Sequence, residues 1–286
     1  MDVKEQLQVI ENHIHSADGT KITYKITGSG PGLLIISGAD RGAKHYVKLA
    51  AGLKDDFTMY IINRRGRGGS GPQGPDYSVA KECEDAMAII QKHNIPYIFG
   101  HSFGGIVGLN IALKEDIKKL VVYEPGMSPN NNLPLAWVPK FEKQLYKKAY
   151  TGALVSIAKG LGMMGPLTKV PSFLLHGVFG FMAMGNKDWQ EDKMLLELVP
   201  NEIRAGVAMD ADIARYKDIQ CPVLLMGGTA SPLWLLQALR KLHGIIPGSV
   251  LTELTGLVHN APDEFAPEKV GEEIRKFLGS DGILTE

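Results

Sequence analysis

Ser102 sits at the centre of "YIFGHSFGGIVG" (97–108), with Gly100 two residues before it and Gly104 two after. A serine hydroxyl is a weak nucleophile unless a base takes its proton. G-x-S-x-G is the spacing in which a serine stands exposed on a sharp strand-to-helix turn. The apolar "YIF" ahead of the motif and "FGGIVGLNIAL" after it supply that strand and that helix. A helix start beneath the turn favours negative charge developing above it. The plain alternative is a close-packed turn in which Ser102 only caps the helix. What separates the two is whether the chain also supplies a base. In this arrangement a histidine is expected on a loop after a late strand, last in chain order. "SVLTELTGLVHNAPDEFAPEKV" places His259 there, between a strand and the final helix. The other histidines fit less well. His13 and His15 lie in the first hairpin, and His45, His93 and His243 on helices; His176 is in a helical insertion. His101 adjoins the serine, so its side chain should point away from it.

These residues need a frame to bring them together. Two strand-like runs, "LQVIENHIHS" and "KITYKITGSG", flank "ADGT", and Asp18-Gly19 is a strong hairpin signal. "GLLIISG" (32–38) and "FTMYIIN" are short continuous apolar runs, as in strands buried on both faces. From there helix-like and strand-like stretches alternate: helix "KHYVKLAAGL", helix "SVAKECEDAMAIIQKHN", strand "YIFG", helix "FGGIVGLNIALKE", strand "KKLVVYEP". Later come strand "CPVLLMGG", helix "LWLLQALRKLH", strand "SVLTELTG" and helix "PEKVGEEIRKFLG". This alternation predicts an α/β fold with a mostly parallel sheet, wound right-handed and flanked by helices. Residues 126–205 break it and read as an inserted helical cap. The core domain is then 1–125 together with 206–286. The insertion is rich in large, flexible apolar side chains, which either form its own core or wall an apolar pocket at the C-terminal edge of the sheet. On the second reading Met127, Trp137, Phe181 and Trp189, with Val258 beside His259, are the expected substrate contacts.

Composition narrows the classes. In 286 residues, Lys+Arg and Asp+Glu balance at 31 each, so neither nucleic acid nor an anionic membrane is an expected partner. No apolar run reaches the roughly 18 residues of a membrane span. The polar start "MDVKEQLQVIENHIH" lacks the apolar core of a secretion signal, and a cytoplasmic location is expected. Two cysteines, Cys83 and Cys221, imply neither a disulfide framework nor a metal site, and no cofactor is called for. "RRGRGGSG" resembles RNA-binding Arg-Gly stretches. A single copy in a neutral chain reads better as a turn after a strand, its arginines bonding backbone carbonyls.

"GHSFGG", "IINRRGRGGSG" and "GLVHNAP" together resemble the α/β-hydrolase superfamily, and the resemblance covers nearly the whole chain, with the insertion as the variable cap. It implies Ser102 as nucleophile and His259 as general base. It also implies an oxyanion hole from the backbone N–H groups of Ala39 and Phe103, although many members carry His-Gly where this chain has Ser37-Gly38. The acid is the clearest departure. Most members place an Asp after the strand written here "CPVLLMGGTASPLW". This chain has Ser231 there and no carboxylate from Cys221 to Trp234. A serine cannot stabilise an imidazolium as a carboxylate does. Glu124, at the end of "KKLVVYEP", is the expected replacement: some members keep their acid on that strand, and parallel strand ends converge on one edge. Asp210, Asp212 and Asp263 rank behind it. The expected activity is hydrolysis of a carboxylic ester or lactone of a medium-sized hydrophobic substrate through an acyl-enzyme. Carbon–carbon bond hydrolysis and perhydrolase chemistry share the same residues. A binding or signalling protein with slow or no turnover is the alternative of a different class, and the missing carboxylate is its best support. The expected partner is a small molecule, and a homodimer is compatible with this reading.

Overall fold

Strands buried on both faces need helices on both faces, and the chain provides them. In the computed structural model, which describes residues 8–129 and 133–280, eight strands form one sheet in the order β1-β2-β4-β3-β5-β6-β7-β8. They are β1 (Ile10–His15), β2 (Lys21–Gly28), β3 (Gly32–Ile36), β4 (Thr58–Ile62), β5 (Tyr97–His101), β6 (Lys119–Tyr123), β7 (Val223–Gly228) and β8 (Val250–Leu254). The hairpin β1–β2 turns at Asp18-Gly19, with Gly19 at φ +82°, and pairs antiparallel, as does β2 with β4. All remaining pairs are parallel. Leu7, where the first strand was expected to begin, lies outside the described residues.

One face of the sheet is covered by α2 (Val79–His93), α3 (Phe103–Ala112) and α8 (Leu233–His243), the other by α1 (Val47–Leu53) and α9 (Pro267–Gly279). α2 shows how its sequence sets its ends: the Ser78 hydroxyl accepts from the Lys81 N–H at the start, and Asn94 takes the left-handed conformation that closes it. Between β6 and β7 the chain leaves the sheet and forms α4 (Val138–Tyr146), α5 (Tyr150–Gly160), α6 (Ser172–Gly185) and α7 (Trp189–Val207). Phe141, Leu145, Ala153, Leu196 and Val199 make a small core among them. These helices lie over the C-terminal ends of β3, β5 and β6, where the loops that carry Ala39, Ser102 and Glu124 also end.

Candidate active site

The turn after β5 has a shape few sequences permit. Ser102 is held at φ +52°, ψ −117°, outside the ordinary regions for a residue with a side chain. The chain can fold this tightly because its neighbours are glycines. A Cβ on Gly104 would lie 2.1 Å from the Ile36 carbonyl oxygen, and one on Gly100 2.4 Å from that of Gly104. The Ser102 N–H donates to the Tyr123 carbonyl at 2.9 Å, tying the turn to β6. The Ser102 side chain makes no cap bond to α3. It faces a cavity of about 590 Å³ enclosed by the sheet edge and the inserted helices.

Glu124 and His259 meet at this cavity. His259 Nδ1–H donates to Glu124 Oε2 at 2.7 Å. Glu124 is fully buried, and its Oε1 accepts the Gly228 N–H at 2.6 Å, so both carboxylate oxygens are held. Fixing the proton on Nδ1 leaves Nε2 as the acceptor nitrogen, the tautomer needed to take a serine proton. His259 and Ser102 line the same cavity, with no hydrogen bond between them among the described residues; such bonds often close only around a substrate. Ser231 follows β7 with its hydroxyl buried and unpartnered among the described residues. Two of the three lower-ranked carboxylates are engaged elsewhere: Asp263 accepts from Arg41 Nε at 2.5 Å, and Asp210 from the Ser128 N–H at 2.8 Å.

Ala39 and Phe103 both border the cavity, and neither backbone N–H has a partner among the described residues. Phe103 opens α3, so its N–H is one of the unsatisfied donors at a helix start. Position 101 carries a role that sequence reading missed. His101 does point away from the serine, and there it joins two loops. The Gly38 N–H donates to the Tyr46 hydroxyl at 3.1 Å, and that hydroxyl donates to His101 Nδ1 at 2.7 Å. His101 Nε2–H donates to the His259 carbonyl at 3.0 Å. A second, partly buried bond, from the Tyr123 hydroxyl to the Val258 carbonyl at 2.9 Å, holds the same loop. Burial, with His259 close by, keeps His101 well below the ordinary histidine pKa, so it stays neutral.

The arginines after β4 do more than the sequence implies. Arg64 reaches the Gly38 carbonyl and Arg67 those of Arg41 and Arg65, as expected, and both also bond carboxylates. Fully buried Arg64 bonds Glu82 at 2.9 Å and Glu202 at 2.6 Å, and Arg67 also bonds Glu202. Arg65 holds Asp85 through two nitrogens. Burial pushes Glu202 up, but Arg64 and Arg67 outweigh it and hold the carboxyl below its usual range. Glu202 belongs to α7, so this cluster ties the inserted helices to the loop behind Ala39. Arg64 also lies over the Phe103 ring, 4.7 Å from its centre.

Of the expected substrate contacts, Trp189 borders the cavity. Four do not. Met127 is fully buried in the main core, Trp137 packs on Phe141, Phe181 is 75% exposed on the outer side of α6, and Val258 holds the loop through its carbonyl. The apolar wall comes instead from residues such as Leu154, Ile157, Met163, Phe179 and Leu196. Arg41 is the cavity's one arginine or lysine among the described residues, and Asp40, Asp263 and Glu264 surround it.

The sequence profile of the alpha/beta hydrolase family matches residues 33–268. The chain belongs to that family. An uncharacterized hydrolase of Bacillus subtilis, YraK, is 30% identical over 122 residues, a match that spans 41% of this chain and 45% of that protein. The chain thus spans less than half the length of the curated relatives it matches. Among solved structures, an alpha/beta hydrolase from Sphaerobacter thermophilus is 26% identical with a TM-score of 0.75, covering 93% of this chain and 100% of that one. The esterase RhEst1 from Rhodococcus sp. shares the fold with a TM-score of 0.68 at 20% identity, covering 95% of this chain and 99% of that one.

Proposed function

We propose that the protein is a serine hydrolase that cleaves a carboxylic ester or lactone of a medium-sized, uncharged, hydrophobic substrate through an acyl-enzyme, with the inserted helices as its cap. The observation that carries this reading is the buried Glu124–His259 hydrogen bond opening onto the same cavity as the strained Ser102. Ser102 Oγ attacks the carbonyl carbon while its proton passes to His259 Nε2. Glu124 stabilises the imidazolium that forms. The negative oxygen is received by the N–H groups of Ala39 and Phe103, at the positive end of α3. The intermediate collapses, and the leaving alkoxide takes the proton from His259. Water then repeats the sequence on the acyl-enzyme and releases the acid. The apolar wall, with no unpaired arginine or lysine among the described residues that line it, supports an uncharged substrate over a carboxylate-bearing one. The binding-protein alternative drew its support from the missing acid at Ser231; Glu124 beside His259 weakens that support. The test is intact and peptide mass after treatment with a fluorophosphonate. One adduct on the Ser102 peptide, absent from Ser102→Ala, is expected. An unlabelled, folded wild-type protein would overturn the reading.

A further inference from the structure

We propose that α6 is a docking surface for an anionic lipid bilayer, which places the cavity mouth against that surface. A helix on the outside of a protein normally turns polar side chains to water. α6, "SFLLHGVFGFMAMG", does not. At 100° per residue and with Phe173 as origin, Met184, Phe181, Leu174 and Val178 fall within an arc of about 140°. Their exposures are 71% for Phe173, 80% for Met184, 75% for Phe181, 51% for Leu174 and 55% for Val178. The opposite arc carries Phe179 and Ala183, which border the cavity, and Met182 stands between the two arcs and borders it too. One helix therefore forms both the cavity wall and a continuous apolar outer face. Isolated exposed apolar residues are ordinary; five large ones on one helix face mark an interaction surface.

Charge selects the occupant. From Gly165 to Lys187 there is no carboxylate, while Lys169 before the helix and Lys187 after it are exposed. Neither lysine has an ionic partner among the described residues. The nearest carboxylates, Asp188, Glu191 and Asp192, converge on Lys44 instead. Laying α6 beside its copy under a two-fold axis brings lysine against lysine whichever way the helices run, and the carboxylate next to Lys187, Asp188, is already drawn to Lys44. An anionic lipid surface suits both features, apolar side chains into the acyl boundary and lysines at the headgroups. The chain's balanced total charge gave no reason to expect such a partner, but this stretch departs locally from that balance. No helix among the described residues is long and apolar enough to cross a membrane, so α6 would lie on the surface.

The docking does not depend on the serine chemistry, and the test keeps the two apart. The full chain is sedimented with vesicles of phosphatidylcholine, alone and with about a third phosphatidylglycerol. Binding to the mixed vesicles is expected, weakening as salt rises. Phe173→Ser with Met184→Ser, two residues that face neither core nor cavity, should lower partitioning at least about tenfold and leave turnover of a short-chain soluble ester unchanged. Lys169→Glu with Lys187→Glu should reduce binding on mixed vesicles to the level seen on neutral ones. Ser102→Ala should bind as wild type. Absence of binding to both vesicle types overturns the proposal, as does binding that ignores both pairs of substitutions. A micromolar dimer dissolved by Phe173→Ser/Met184→Ser would also overturn it and give the face to a second copy.

Discussion

Glu124→Gln should cut kcat about a thousandfold and leave the fold intact. Glutamine keeps the volume of a fully buried side chain and an oxygen to accept the Gly228 N–H, now 2.6 Å from Oε1. What it loses is the charge and the right partner for His259. At about 4 Å and an effective dielectric of about 20, a carboxylate–imidazolium pair is worth about 4 kcal/mol. Each ~1.4 kcal/mol of barrier is a factor of ten in rate, which gives roughly three powers of ten. The amide NH₂ also faces Nδ1, which must then become an acceptor, and this moves the proton to Nε2 and removes the base from the serine's side. The assay is kcat on a short-chain aromatic ester together with the rate of fluorophosphonate labelling, beside a thermal melt. Both rates should fall in parallel. A loss smaller than about tenfold in a folded variant would refute the reasoning, because neither the charge nor the tautomer could then matter at the reacting centre.

Tyr46→Phe removes the hydroxyl between Gly38 and His101. Loosening, without removing, an oxyanion donor should lower kcat about tenfold with KM little changed; steady-state kinetics showing a KM effect alone would count against it. Glu202→Leu leaves Arg64 and Arg67 without their shared carboxylate in a buried cluster, and breaking such a pair costs about 3–5 kcal/mol, to be read from the urea midpoint; no change would mean that Glu82 alone suffices. Burial and the nearby Arg41 hold His45 down to about 4 from an ordinary 6.5, and its Nδ1 accepts the Gly42 N–H. Between those values the unfolded chain binds the extra proton and the folded one does not. The His45 contribution is therefore complete above about pH 6.5 and is lost as pH falls towards 4. The melting temperature should drop over that window, and less steeply in His45→Gln; equal slopes would show that His45 is not the group responsible.

What the sequence made legible was set by range. Ser102 and His259 follow from local patterns, a glycine-flanked serine between strand and helix and a histidine between the last strand and last helix. The helices "LWLLQALRKLH" and "PEKVGEEIRKFLG" have the bounds their apolar spacing predicts. The partners of Arg64 and Arg67 were not legible, since Glu202 lies far along the chain and nothing local announces it. Nor was the His101 bridge, whose meaning depends on Tyr46 and the His259 carbonyl arriving from two other loops. The lining of the cavity was not legible for a different reason. Periodicity finds the inward face of a helix only when the other face is polar. α6 is apolar all round, so Phe179, which borders the cavity, and Phe181, which faces outward, are indistinguishable in sequence.

Glu124, the acid in the proposed reading, was legible because parallel strands make the ends of β6 and β7 neighbours. β6 and β7 pair in register, Tyr123 with Met226, and the Glu124 N–H continues the ladder by donating to the Met226 carbonyl at 2.9 Å. A side chain one residue past β6 therefore starts beside Gly227, close to where an acid after β7 would begin. Glutamate has one more methylene than aspartate to span the remaining gap. Gly227 leaves room for it: a Cβ there would lie 2.4 Å from Leu239 Cδ1 and 3.1 Å from both Glu124 Cγ and Oε1. Gly228 then supplies the N–H that fixes Oε1 and turns Oε2 to His259. "YEP" and "MGG" thus form one feature across two strands. On the proposed reading the glycine pair lets this sheet take its carboxylate from β6, and Gly227→Ala should press on both Leu239 and Glu124, lowering the melting temperature and the fluorophosphonate labelling rate together.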